Sequence, residues 1–130
     1  MPLFSCSLSP RISETDLVGH INNVAIAAWF EDLRVRYMRS LVPIEQEGQP
    51  VGFTLASVHI DFIAETHYGT DVTLHMQKTT VGNSSVTLKG EIHQDGKLTA
   101  RGISVMVYWD TATRRPQRLP DIYRQKLGGE

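Results

Sequence analysis

Cysteine is nearly absent from this chain of 130 residues: Cys6 stands alone, which excludes an intramolecular disulfide and any all-cysteine metal cage within one chain. A lone thiol fits a reducing compartment, so a cytoplasmic protein is expected. An excess of charge of either sign is also missing, since 13 Lys and Arg stand against 14 Asp and Glu for a net charge of -1. Without a basic field to gather polyanions, neither nucleic acid nor an anionic membrane is expected as a partner. No run approaches the about 20 apolar residues that span a bilayer. The opening Met1-Pro2-Leu3-Phe4-Ser5 has no basic residue before Arg11 and no apolar core, so it does not read as a signal peptide. Length is short as well. One domain over residues 1–130 can bury roughly two thirds of its unfolded surface without a disulfide or structural metal. It has little room for a deep private cavity, so a small-molecule site is expected at a subunit interface.

Periodicity supplies the elements. Ile26, Trp29, Phe30, Leu33, Tyr37 and Leu41 recur at three- and four-residue spacing, predicting a helix from about Asn22 to Ser40 with one strong apolar stripe. Ala25, Ala27 and Ala28 flank that stripe, so the first half of the helix is expected to be substantially buried. Asp32 and Arg36 stand at an ion-pair spacing, as do Glu31 and Arg34, and Pro43 marks the stop. A Gly/Pro-containing connector around Glu47 to Pro50 follows, and then alternation takes over. Val58, Ile60 and Phe62 form one apolar face; Val72, Leu74 and Met76 a second; Val86, Leu88 and Ile92 a third. Gly82-Asn83 and Asp95-Gly96 read as turns. In the last strand Leu98 and Ala100 are even-numbered while Ile103, Val105, Val107 and Trp109 are odd, which predicts a bulge at Gly102. Leu3 to Ile12 is a weaker strand ended by Pro10, and Asp121 to Leu127 a short terminal helix. The order strand, long helix, four strands predicts an α+β layer arrangement, an antiparallel sheet around one helix.

The stretch Ser13-Glu14-Thr15-Asp16-Leu17-Val18-Gly19-His20-Ile21-Asn22-Asn23 concentrates polar groups just before that helix. Two readings are open. In one, Asp16 or Asn22 caps the helix and Gly19 makes a turn. In the other, a carboxylate sits beside unpaired helix-start N–H groups that polarise a carbonyl, so that it can activate water or attack. The five histidines show no metal-ligand spacing: His59, His67, His75 and His93 lie on strands and turns, with no His-x-x-x-His pair on a helix. No metal is expected. Cys6 has no neighbour in sequence that would activate it, and reads as a small hydrophobe.

Thr15-Asp16-x-x-Gly19-His20-Ile21-Asn22-Asn23 followed by Trp29-Phe30-Glu31-x-x-Arg34 resembles the signature of the hotdog-fold acyl-CoA thioesterases of the 4-hydroxybenzoyl-CoA thioesterase type. The likeness continues through Val58-x-Ile60-x-Phe62, Tyr68-Gly69, Val81-Gly82-Asn83-Ser84-Ser85 and Leu119-Pro120, and so covers nearly the whole chain. It implies a hotdog fold, an antiparallel sheet of five or so strands wrapped around one long central helix, assembled as a homodimer or homotetramer with sites between subunits. It further implies hydrolysis of an acyl-CoA, or an acyl carrier protein thioester, with coenzyme A part of the substrate and no other cofactor. Asp16 takes the position of the catalytic carboxylate, as general base or nucleophile, and the Asn23 backbone N–H that of the oxyanion donor. His20 and Asn22 match substrate-site positions that also fix the loop. Gly82, Asn83, Ser84 and Ser85 fall where relatives contact coenzyme A across the dimer.

Departures from the pattern are informative. Ile26 stands where many relatives have an aromatic residue, which alters the acyl pocket, and Glu14 replaces one of two aspartates. Relatives carry basic residues near positions 82–85 and this chain does not, leaving the cluster Arg114, Arg115 and Arg118 as either a phosphate site or a solvated tail. Two other functions share these expectations: a hydratase or dehydratase acting on acyl thioesters through a histidine and an acid, and a non-catalytic acyl-CoA binding protein.

Overall fold

The structure is a computed structural model that describes residues 1–41 and 51–128, Val51 by its backbone only. Pro43 and the connector around Glu47 to Pro50 lie outside the described residues. Strand β1 (Phe4–Leu8) leads through a 3₁₀ turn (Ile12–Glu14) to helix α1 (Asn23–Leu41). Strands β2 (Val51–Phe62), β3 (Val72–Val81), β4 (Ser85–Gln94) and β5 (Lys97–Asp110) follow, then a two-residue β6 (Arg115–Pro116) and helix α2 (Asp121–Gly128). All pairings are antiparallel, in the order β1-β3-β4-β5-β2, with β6 added to the end of β5. This is the hotdog arrangement that the resemblance implies.

The core forms where the stripe of α1 meets alternate residues of β3 and β4. Ile26, Trp29, Phe30, Leu33 and Tyr37 are buried against Val72, Leu74, Met76, Val86, Leu88 and Ile92. At about 1.5–3 kcal/mol for each large apolar side chain taken from water, this single layer contact dominates the stability. The ion pair Arg36 Nε–Asp32 Oδ1 forms at 3.1 Å on the outer side of the helix. Arg34 does not pair with Glu31. Its side chain turns inward, is buried, and Nη1 donates to Ser104 Oγ at 3.0 Å. Burial pulls its guanidinium pKa below the ordinary arginine value, partly offset by Glu31.

Several expectations are corrected. β1 ends at Leu8, and Ile12 belongs to the 3₁₀ turn, whose path Pro10 allows but a ladder would not. The first half of α1 is buried only along its stripe; Asn23, Val24, Ala27 and Ala28 are exposed in the single chain. The bulge in β5 lies at Thr99, between the pairs Ile92↔Ala100 and His93↔Leu98, while Gly102 is in regular register with Gly90 and Ile60. The even residues Ala100, Gly102 and Ser104 therefore face the helix, and Ile103, Val105 and Val107 lie on the outer face. Two further register shifts, between Leu55 and Ser57 and between Met76 and Lys78, bend the sheet around α1.

Strand β2 is an edge. Among the described residues it pairs with β5 alone and presents its other edge unpaired along twelve residues. Leu55, Val58 and Phe62 oppose Met106, Ser104 and Ala100 and so share the helix-side face, yet they are 43%, 45% and 53% exposed. Helix α1 packs mainly on β3 and β4 and reaches β5 at Gly102 and Ser104, leaving Leu55, Val58 and Phe62 of β2 largely uncovered.

Candidate active site

The polar stretch before α1 folds as a tight loop held from both ends. Thr15 pairs with Ile21 as an isolated bridge, the Asp16 N–H donates to His20 O at 2.7 Å, and Gly19 turns the chain at φ 85°. Only glycine adopts that φ without strain, which gives Gly19 its place. Asp16 Oδ1 accepts the N–H groups of Val18 at 2.9 Å and His20 at 3.0 Å, so one carboxylate oxygen braces the loop. No protein donor reaches Oδ2 among the described residues, and the side chain is exposed in the single chain. Glu14 is fully engaged: Oε1 takes the Arg11 N–H at 2.8 Å and Oε2 the Trp29 indole N–H at 3.1 Å. Of the two acids in the motif, only Asp16 retains a free oxygen.

Asn22 is the N-cap. Its Oδ1 accepts the Ala25 N–H at 2.8 Å, while its Nδ2 and backbone N–H both donate to Glu14 O at 2.9 Å. Asn22 thus lies just before the helix and fixes it to the 3₁₀ turn. Replacement by alanine should lower stability by about 1–2 kcal/mol in urea denaturation, with aspartate intermediate because it keeps the cap oxygen and loses the Nδ2 donor. The cap leaves the Asn23 N–H with no protein acceptor among the described residues, at the positive end of a helix of 19 residues.

The connector from β2 to β3 brings a second segment to this helix start. His20 bridges His67, Ile21 N donates to Thr66 O at 2.7 Å, and Gln94 clamps the connector through Oε1 to the His67 N–H and Nε2 to the carbonyls of His67 and Thr70. Here His20 Nδ1 meets Glu65 Oε2 at 3.0 Å. A cavity of about 340 Å³ opens between the two segments. Ile21, Ile26, Phe62, Ile63 and Ala64 make its apolar wall, and Asn23 lies at its helix end. Glu65 and Thr66 complete it with polar groups.

Asp16, His20, Asn22 and Asn23 are therefore brought together, with Asn23 alone among them lining the cavity. Gly82, Asn83, Ser84 and Ser85 are not part of this cluster within one chain. Gly82, Asn83 and Ser84 form the β3–β4 turn and Ser85 opens β4, at the other end of a ten-residue strand, about 30 Å long, from the connector. Their backbone holds β5 and the C-terminal segment: Tyr108 N of β5 donates to Ser84 O at 2.8 Å, Leu119 N to Asn83 O at 2.9 Å, and Arg124 Nη1 to Gly82 O at 3.0 Å. The exposed Arg114, Arg115 and Arg118 lie around β6 and make no cluster with Asp16. Among the described residues no three His, Cys, Asp or Glu side chains stand close enough to hold a metal. The residues that sequence reading missed are Glu65, Thr66 and Gln94, which no periodicity or motif singles out.

Known proteins share this framework. A family model described as the thioesterase-like superfamily matches residues 10–127. An uncharacterized protein of Bacillus subtilis strain 168, YsmA, is 32% identical over 106 residues, 80% of this chain and 71% of that one. The structure of a predicted thioesterase from Bacillus stearothermophilus superposes with a TM-score of 0.85 at 36% identity, covering 95% of this chain and 92% of the other. A thioesterase from Thermus thermophilus, crystallised with coenzyme A and Zn, gives 0.85 at 24% identity over 98% of both chains, a likeness of fold.

Proposed function

Because this chain belongs to the thioesterase-like superfamily and is a thioester hydrolase, we propose that its substrate is an acyl-CoA and that Asp16 and the Asn23 N–H perform the reaction. The observation that carries this reading is the junction before α1, where one carboxylate oxygen is free and the first helix N–H is unpaired. The thioester carbonyl accepts the Asn23 N–H, which stabilises the oxyanion as negative charge develops on it. Asp16 Oδ2 either takes a proton from the attacking water or attacks the carbonyl carbon to give a mixed anhydride that water then opens. Both routes break the C–S bond and end in a free acid and a protonated thiol. Coenzyme A enters as part of the substrate, and no further cofactor is used. His20, held by Glu65, and the cap Asn22 position the loop beside the substrate, and the turn 82–85 of a second subunit contacts coenzyme A. The Thermus neighbour's coenzyme A supports the choice of thiol.

The uncovered face and free edge of β2 support a homodimer, with the site shared across it. Val58→Asp should weaken self-association at least tenfold in sedimentation equilibrium, because a buried carboxylate without a partner opposes the interface. The function itself is tested by thiol release from short, long and aromatic acyl-CoAs; steady release from at least one class is expected, and saturable binding without release would leave a binding protein instead.

One observation favours a second reading. The His20–Glu65 pair at 3.0 Å is a histidine with an acid beside the same cavity, the combination that a hydratase on acyl thioesters needs. Hydration of crotonyl-CoA without thiol release would select it.

A further inference from the structure

The wall of the cavity holds one group that the reaction as described does not use. Thr66 is 2% exposed, and its Oγ1 is the one buried side-chain nitrogen or oxygen among the described residues with no hydrogen-bond partner. The backbone around it is pinned, with the Thr66 carbonyl taking the Ile21 N–H at 2.7 Å and the next amide, of His67, bound to Gln94 Oε1 at 3.0 Å. The backbone cannot shift to carry the hydroxyl to a partner elsewhere. A valine would fill nearly the same volume and leave nothing unpaired, so the hydroxyl disfavours the empty protein relative to its isostere. Buried hydroxyls of this kind are ordinarily satisfied. The neighbouring wall of Ile21, Ile26, Phe62 and Ile63 suits a hydrocarbon, and apart from Thr66 the polar lining is Asn23 at the helix end and Glu65.

We propose that Thr66 is a specificity-determining residue that selects acyl groups carrying a hydroxyl or keto oxygen. The inference rests on the reading above, in which the carbonyl sits on the Asn23 N–H and the acyl group extends into the cavity that Asn23 and Thr66 both line. Oγ1 is itself covered in the rotamer present, so reading an acyl oxygen requires a staggered step about χ1 that brings the hydroxyl to the cavity side without backbone motion. A hydroxyl both donates and accepts, which matches an acyl hydroxyl or a keto oxygen equally. A site that hydrogen-bonds a substrate oxygen discriminates against the analogue lacking it more strongly than an apolar wall discriminates between chains.

The test is kept apart from turnover. Equilibrium affinities are measured for three non-hydrolysable ketone analogues of acyl-CoA, in which a methylene separates sulfur from the carbonyl that sits on the Asn23 N–H: the butyryl, 3-hydroxybutyryl and 3-oxobutyryl analogues. Wild type should bind at least one oxygenated analogue about tenfold more tightly than the butyryl analogue, as one satisfied hydrogen bond allows. Thr66→Val should abolish that ratio while leaving affinity for the butyryl analogue within about twofold, and Thr66→Ser should preserve it. A preference for the hydroxyl or the keto ligand identifies which oxygen is read. Equal binding of all three by wild type, or a ratio that survives in Thr66→Val, overturns the assignment. Absence of thiol release from true acyl-CoAs would overturn the hydrolase reading alone, since these affinities are read without it.

Discussion

Asp16→Asn should lower kcat for acyl-CoA hydrolysis about 10³-fold, in the range by which a positioned proton-transferring or nucleophilic group accelerates a reaction, with KM little changed. Asparagine is the informative replacement because of what Asp16 already does in the loop. Its Oδ1 accepts the N–H groups of Val18 and His20, and an amide oxygen has the two lone pairs to accept both, through weaker neutral hydrogen bonds. The turn that carries Gly19 and delivers Asn22 to the cap is therefore preserved, and Tm should stay within about 2 °C of wild type. What asparagine removes is the charge and basicity at the second oxygen. Asp16→Ala, by contrast, should lose both activity and loop stability, because the two amides then lack their acceptor. Full turnover in the asparagine variant would reduce Asp16 to a turn-forming residue, and a fall in Tm equal to that of alanine would show that the amide does not keep the loop. A burst of one thiol equivalent before steady turnover separates the mixed-anhydride route from general-base attack by water, where no acyl-enzyme accumulates.

The two readings that the sequence leaves open for this stretch fall on different residues. Asn22 caps and Gly19 turns, while Asp16 and the Asn23 N–H retain unused hydrogen-bonding capacity. This part was legible because caps and turns are local: a side-chain oxygen three residues before an N–H, or a glycine at positive φ, is written in consecutive residues. Glu65 and Thr66 were not legible. They reach the helix start through bridges such as His20↔His67, between residues far apart in sequence, and a glutamate and a threonine in a connector have no spacing that announces a cavity. The free state of Asp16 also became visible only in three dimensions, once Glu14 was seen bound to Trp29 and Arg11.

Strand β5 shows the same limit in the fold and leads to the second large effect, on stability. Its large apolar residues Ile103, Val105 and Val107 are the natural choice for a core face by alternation, yet the helix packs on the face of Ala100, Gly102 and Ser104. The reason is the size of what lies above. A Cβ on Gly102 would stand 2.9–3.1 Å from three carbons of the Phe30 ring, and one on Gly90, its partner across the ladder, 2.8 Å from Leu33 Cδ2. The two glycines form a shallow floor into which Phe30 and Leu33, 3% and 1% exposed, can sink. Periodicity weighs hydrophobicity and is blind to a face made small to admit a neighbour's bulk. Gly102→Val should accordingly destabilise by about 3 kcal/mol or more in urea denaturation, the upper range for overpacking a tight core, even though valine is the better strand former. Phe30→Leu on its own should cost about 1–1.5 kcal/mol, but combined with Gly102→Val it should recover part of the loss, giving a favourable coupling of at least about 1 kcal/mol between residues in direct contact. A Gly102→Val protein within about 0.5 kcal/mol of wild type, or a double variant whose losses simply add, would mean that the helix can rise off the sheet at no cost. The position of the Asn23 N–H, fixed by the seating of α1, would then no longer be set by this contact.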